Sequence, residues 1–297
     1  LDDTTFKGQA AYTLSNSAVL LKLNGQSLDV DRYLPPPAPE SATTTTATAA
    51  APASTPEADL LPLDSLRTLA LDIQFALDEL KVKGLAIQQF KSGVKAQSGQ
   101  IEVAPLSGNL LDGHFDVSAS LDARSNEPRW QIRNTLSGVQ ILPLLTQLAD
   151  VDMLSGAANL NLNLATRGNR LSLLREHASG QAEFSLANGA LEGMTLHHLA
   201  CEGIALVNQE ALASQDWGQR TPFNDMRGTL LIKGNTLDNT LLSARMAGLM
   251  LEGQGQVDLK ANRVDYGLGL RVTGDIDKDP ACRVNERVQG ISLPVRC

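Results

Sequence analysis

Aromatic residues make up only 4% of this 297-residue chain, and it holds just two tryptophans, Trp130 and Trp217. A sugar-cleaving cleft needs a carboxylate pair flanked by aromatic platforms, so the scarcity argues against a glycosidase. Basic residues are outnumbered, 25 Lys and Arg against 33 Asp and Glu, for a net charge of −8. No basic footprint is present for nucleic acid, and no Lys/Arg cluster for broad adhesion to anionic lipid. No run approaches the ~18 consecutive apolar residues of a transmembrane helix. The opening Leu1-Asp2-Asp3-Thr4 lacks the basic start and apolar core of a signal peptide. Leu1 begins in a strand-like region and Cys297 ends a segment with no closing element, so the chain reads as a fragment, and any membrane anchor or targeting signal is expected outside it.

The signatures of enzymes are missing too. There is no Gly-x-Ser-x-Gly elbow, P-loop or His-Glu-x-x-His. Gly253-Gln254-Gly255 resembles the start of a dinucleotide fingerprint, but it interrupts an alternating run where a helix should follow. Those glycines mark a bulge or a close approach to the backbone. His197, His198 and Cys201 do not complete a tetrahedral metal set. Asp150/Asp152 and Asp275/Asp277/Asp279 adjoin no nucleophile, and the latter lack the Gly and Glu of a calcium loop. The chain is read as a non-enzyme, with no cofactor and no metal.

What is present is alternation. Within Arg227–Asp275, Leu249, Leu251, Val257 and Leu259 fall on one side of a two-residue period, with Glu252, Gln254, Gln256 and Asp258 on the other. Val264, Tyr266, Leu268, Leu270 and Val272 repeat the pattern against Asp265, Arg271 and Thr273. Side chains alternate sides on a strand, so these runs predict a sheet with one apolar and one polar surface. The same reading gives strands with Phe115 and Val117 on one face, and with Leu160 and Leu162 set against Asn159, Asn161 and Asn163. A Ser-Gly or Arg-Gly phrase recurs at Ser107, Ser155, Ser179 and Arg227, separated by 48, 24 and 48 residues, which hints at a repeated strand pair.

Residues 1–34 read as the end of an upstream β region with a hairpin turn at Asn24-Gly25. Residues 35–58 are a Pro/Thr/Ala linker that cannot bury enough surface to offset its ordering entropy. Residues 59–297 carry the main β domain, with turns at Asp112-Gly113 and Asn188-Gly189. Helical spacing appears at Ile141–Leu148, Leu171–His177 and about Thr195–Ala213, with a short helix starting near Pro62. Three cysteines permit three single pairings. Cys282 and Cys297 bracket a short polar loop, and Cys201 is read as buried and unpaired.

Apolar strand faces outnumber the helices that could cover them, and no helix follows Gly228–Thr273 to act as a lid. The expected fold is mainly β with a few α-helices: a long, strongly curved antiparallel sheet forming an open apolar groove. Apolar surface of that extent marks a binding site. The groove candidates are Leu249, Leu251, Val257, Leu259, Val264, Tyr266, Leu268, Leu270, Val272, Phe115, Val117, Leu160 and Leu162.

A series of segments in order then resembles a known family. They are Asp29–Pro35, Leu85–Leu121 with Ala104-Pro105-Leu106 and Leu111-Asp112-Gly113, Gly138–Leu145, Ser155–Leu164 and Gly180–Leu196 with its Phe184–Gly193 phrase. Thr221-Pro222-Phe223, Arg227-Gly228-Thr229 and Gly253–Leu259 complete the series, which is similar to the C-terminal part of AsmA-type proteins. The resemblance implies a periplasmic protein held to the inner membrane by an N-terminal helix outside this chain. It implies phospholipids as partners, carried through an apolar β-groove between inner and outer membrane, and an outer-membrane or periplasmic protein partner. The alternative is a scaffold for outer-membrane protein assembly with no conduit. A periplasmic address favours a bridge, with Cys282–Cys297 as the expected pair.

Overall fold

Strands alternate because β-branched and leucine residues recur every second position, and the computed structural model shows them hydrogen-bonded in chain order into one sheet. It describes residues 4–15, 17–33, 57–276, 279–285 and 288–290, and the backbone of 292–296. The first two strands are β1 (Lys7–Thr13) and β2 (Ala18–Asp29). The expected linker falls almost wholly on residues 34–56, outside the described ones; after it come α1 (Leu63–Thr68), β3 (Ala70–Val82), β4 (Leu85–Gln97), β5 (Gln100–Leu110), β6 (Gly113–Asp122) and β7 (Arg129–Gln140). There follow α2 (Ile141–Ala149), β8 (Leu154–Arg167), α3 (Leu171–Glu176), β9 (Ser179–Glu192) and α4 (Leu196–Asn208). The chain ends on β10 (Arg220–Lys233), β11 (Thr236–Met246), β12 (Leu249–Asp258), β13 (Arg263–Val272) and β14 (Ser292–Arg296).

The order β1 through β14 runs without a crossover and the sheet stays open. Every pair is antiparallel except β2–β3, which is parallel with Val19 opposite Leu71. A parallel pair needs a long connection to return the chain to its starting end, and residues 30–69 supply it. The expected all-antiparallel sheet is therefore corrected at this one join, and the sheet is continuous from β2 into β3.

Bulges bend the strands. Register shifts occur in the β4–β5, β5–β6, β7–β8, β8–β9, β10–β11 and β11–β12 ladders. An extra residue kinks its strand and increases twist, so repeated bulges curl the sheet into a trough. Asn188-Gly189 belongs to one of them, inside β9 rather than at a turn. Asn24-Gly25 likewise lies within β2; a Cβ on Gly25 would sit 2.8 Å from the Phe6 ring and 2.9 Å from Leu77, so packing claims that glycine. Asp112-Gly113 does turn the chain, with Leu111 and Asp112 both at positive φ.

The helices sit at strand ends. Residues 57–61 are strapped to 169–172: Asn169 bonds the Leu61 N–H and C=O through its side chain, and Arg170 pairs with Asp59 at 3.0 Å. Arg67 of α1 donates to the Ala123 carbonyl and to Asn126 on the way back to β3. From Leu61 to Ala70 the chain reaches about 20 Å at most, whereas β3 and β8 lie about 24 Å apart along a flat sheet. The strap closes because the sheet curves.

Candidate functional site

Cross-strand register places the apolar residues in rows that run perpendicular to the strands. One row passes through Leu21, Ile73, Val94, Val103, Ala119, Ile132, Leu164, Gly180, Ile232, Leu237, Val257 and Val264, one residue from each of β2 to β13. At the usual inter-strand spacing that row is about 50 Å long. A second row runs through Leu106, Val117, Asn134, Leu162, Ala182, Leu230, Asn239, Gly255 and Tyr266. A third holds Phe115, Leu136, Leu160, Phe184, Gly228, Leu242, Gly253 and Leu268.

Phe115, Val117, Ile132, Leu160, Leu162 and Leu164 are half-buried, Phe115 against a small cluster of Leu85, Ile87 and Leu110 that Leu144 of α2 also joins. The opposite face is polar, with Gln131, Arg133, Asn159, Asn161, Asn163, Gln181 and Glu183 exposed. Glycines in the rows leave room for rings to lie flat; a Cβ on Gly228 would meet the Phe184 ring at 2.4 Å. Tyr266 lies over Gly253 and Gly255 and donates its hydroxyl to Asn239, which also donates to the Thr229 and Leu241 carbonyls. Burial pushes the Tyr266 phenol above its ordinary value. The two glycines thus serve a close approach to the backbone, one of the two readings of that stretch.

The candidate residues divide by cover. Val257, Val264, Tyr266, Leu268, Phe115, Val117, Leu160 and Leu162 share the apolar face and line its uncovered or bordering rows. Leu249, Leu251, Leu270 and Val272 share that face but are 0–7% exposed. They are core, packed under Cys201 and Ile204 of α4 and under Ile276, Cys282 and Val288. The expectation that no helix covers the C-terminal strands is corrected: α4 folds over them from earlier in the chain. Leu259 lies past the end of β12 in the turn to β13, off the sheet.

The disulfide is also corrected. Cys201 is bridged to Cys282, with Cα atoms 5.1 Å apart, so Cys282 does not pair with Cys297. Helix α4 folding back over the sheet brings the two together; Cys297 and Asp277 lie outside the described residues. The bridge consumes the one thiolate in the considered His197/His198/Cys201 set, and His197 Nε2 stands 3.0 Å from the Ala247 carbonyl. Among the described residues no three His, Cys, Asp or Glu converge as metal ligands, and no helix is long and apolar enough to cross a membrane. Trp130 donates to the Gly168 carbonyl, whereas Trp217 packs on His198 at the opposite strand ends.

The polar face carries paired charges. Asp225 accepts from Arg245 at 2.6 Å and Arg227 at 2.9 Å, and the Arg245 hydrogen bond chiefly holds its carboxyl below the ordinary range. Asp122 is held at about 2, first by the Arg124 side chain and then by its backbone N–H.

The sequence signal for the remaining floor residues, Ile73, Val94, Val103, Ile132, Phe184, Leu230 and Leu237, is the same alternation, but only the register shows that they fall in line.

Comparison with known proteins identifies a family and a relative. The model described as "AsmA family" matches residues 1–241. Protein AsmA of Escherichia coli (strain K12) is 21% identical over 281 residues, covering 92% of this chain and 46% of that protein. The chain thus spans about half the length of the relative it matches. No solved structure matches.

Proposed function

Since the chain belongs to the AsmA family, we propose that it binds phospholipid acyl chains along the apolar rows and passes lipid between the inner and outer membranes. The supporting observation is the apolar row from Leu21 to Val257, half-buried and backed by a polar face, which ends on the exposed Val264. Each methylene buried there contributes about 0.8 kcal/mol, so one acyl chain gains on the order of 10 kcal/mol before the cost of ordering it. The headgroup remains in water at the open mouth. Family membership supports a role in the cell envelope. In this reading the chain sits in the periplasm, tethered by a segment outside residues 1–297, and works with an outer-membrane or periplasmic partner. No residue performs chemistry; the side chains act by excluding water.

Native mass spectrometry of the purified protein, with organic extraction of the same sample, tests the reading. Co-purifying phospholipid is the expected result. A lipid-free protein that does not take up phospholipid from vesicles contradicts it and favours the scaffold for outer-membrane protein assembly.

A further inference from the structure

The C-terminal part of the apolar face is covered by a two-piece lid. Its first piece is α4, whose inner face presents Ala200, Cys201, Ile204 and Ala205, all buried. Its second is formed by the described residues 276, 279–285 and 288, of which Ile276, Cys282 and Val288 join the same core. Beneath lie Met226, Met246, Leu249, Leu251, Leu270 and Val272.

Many of the polar links run within the lid. Asn208 donates to the Ala281 and Arg283 carbonyls, and Ala213 N–H donates to Asp279. Hydrogen bonds from the lid to the strands are few and peripheral. Leu196 N–H donates to Thr221, His197 bonds the Ala247 carbonyl, and Gly290 N–H donates to the Val272 carbonyl. Beside these bonds the lid packs on the sheet through the apolar contacts of that core. After α4 the chain runs through residues 209–219 without regular structure before entering β10, with Leu212 and Trp217 packed on the same core and Ala213 tied to Asp279. The outer side of the lid is exposed, with Leu206 at 80%.

We propose that the Cys201–Cys282 bridge is a latch that keeps this lid over the last strands and so sets how much of the groove is open. Its consequence for cargo rests on the lipid-binding reading; its mechanics do not. Latched, the face offers the rows from Leu21 to Val264 and from Leu106 to Tyr266. Unlatched, Leu251 and Leu270 join them and the groove widens over β10–β13. Opening takes two electrons and two protons from a dithiol, which leaves as a disulfide while Cys201 and Cys282 become thiols. Exchange needs an accessible sulfur, and both sulfurs are buried here. The bridge therefore yields only when the lid loosens, so latch and lid are coupled.

The methionines report the lid without any added label. Met226 and Met246 lie beneath it, 5% and 6% exposed, whereas Met153 and Met194 are 58% and 47% exposed elsewhere. The test compares the full chain with its C201S/C282S form under dilute peroxide, reading sulfoxide at each methionine. Hydrogen exchange across β3–β8 is followed in parallel, as is lipid uptake from phosphatidylethanolamine–phosphatidylglycerol vesicles by native mass spectrometry. Met246 oxidation rising at least tenfold, with β3–β8 amides unchanged and more lipid bound per chain, is the expected result. Unchanged protection of Met246 overturns the latch, and loss of protection across β3–β8 shows a staple of the whole fold instead. A freed Met246 with lipid uptake equal in the two forms overturns the link to cargo. A freed Met246 with no lipid on either form leaves the lid standing and contradicts the proposed function.

Discussion

Tyr266 on β13 donates its hydroxyl to Asn239 on β11 across the full width of β12, and Gly255 is the residue between them. A Cβ on Gly255 would lie 2.6 Å from both the Tyr266 backbone and its ring. Gly255→Ala should force the ring aside, strand the buried Asn239 and lower stability by about 1–3 kcal/mol. Gly267→Ala is the control, because a Cβ there finds its nearest neighbour at 3.8 Å. Urea unfolding of the two variants should separate them clearly.

Cysteine pairing is checked by non-reducing peptide mapping. The expected linked peptides contain Cys201 and Cys282, leaving Cys297 as the residual thiol of the three. Loop-closure entropy over the separation of 81 residues bounds the effect at about 4.5 kcal/mol, so Cys282→Ala should speed hydrogen exchange in α4 and β10–β13 while Cys297→Ala leaves it in place.

Acid sensitivity follows from the carboxylates. Asp122 is held at about 2 by Arg124, below its unfolded value of about 4. A depressed carboxylate contributes stability above its unfolded pKa, and that contribution is lost as pH falls toward the folded value. The loss falls between about pH 4 and pH 2, and Asp225 acts in the same direction through Arg245 and Arg227. Asp122→Asn should make the fall in urea midpoint over that window shallower, by a small amount because solvent screens the pair.

Charge placed on the apolar face should act differently by position. Leu270 is 0% exposed, so Leu270→Asp buries an unpaired carboxylate and should abolish the fold. Leu162 and Val117 are half-buried on open rows, and Leu162→Asp or Val117→Asp should leave the circular dichroism spectrum intact while reducing bound phospholipid severalfold. Unfolding of both floor variants would make those residues core.

Much of this architecture is legible in the sequence because a two-residue period encodes faces directly. Leu160/Leu162 against Asn161/Asn163 needs no structure to sort. Turn signals are less faithful, since Asn-Gly suits a hairpin and also a position where a ring presses on the backbone, as Phe6 does at Gly25. The lid is the feature least legible in the sequence. Alternation in Leu249, Leu251, Leu270 and Val272 is the same whether a ligand or a helix covers them, and α4 lies far upstream of the strands it shields. The amphipathic pattern of that helix shows that it covers something, and only the fold shows what. Cysteine pairing followed suit, because the nearest cysteine in sequence was not the one that α4 carries to Cys282.

Adjacent residues on β8 offer the most direct test of the central claim. Leu162 points into the groove and Asn161 to the polar face. A diazirine photo-crosslinking residue at each position, irradiated in cells, should give a phospholipid adduct at position 162 and none at 161. Equal labelling at both positions, or no lipid adduct at 162, would contradict a lipid-lined groove.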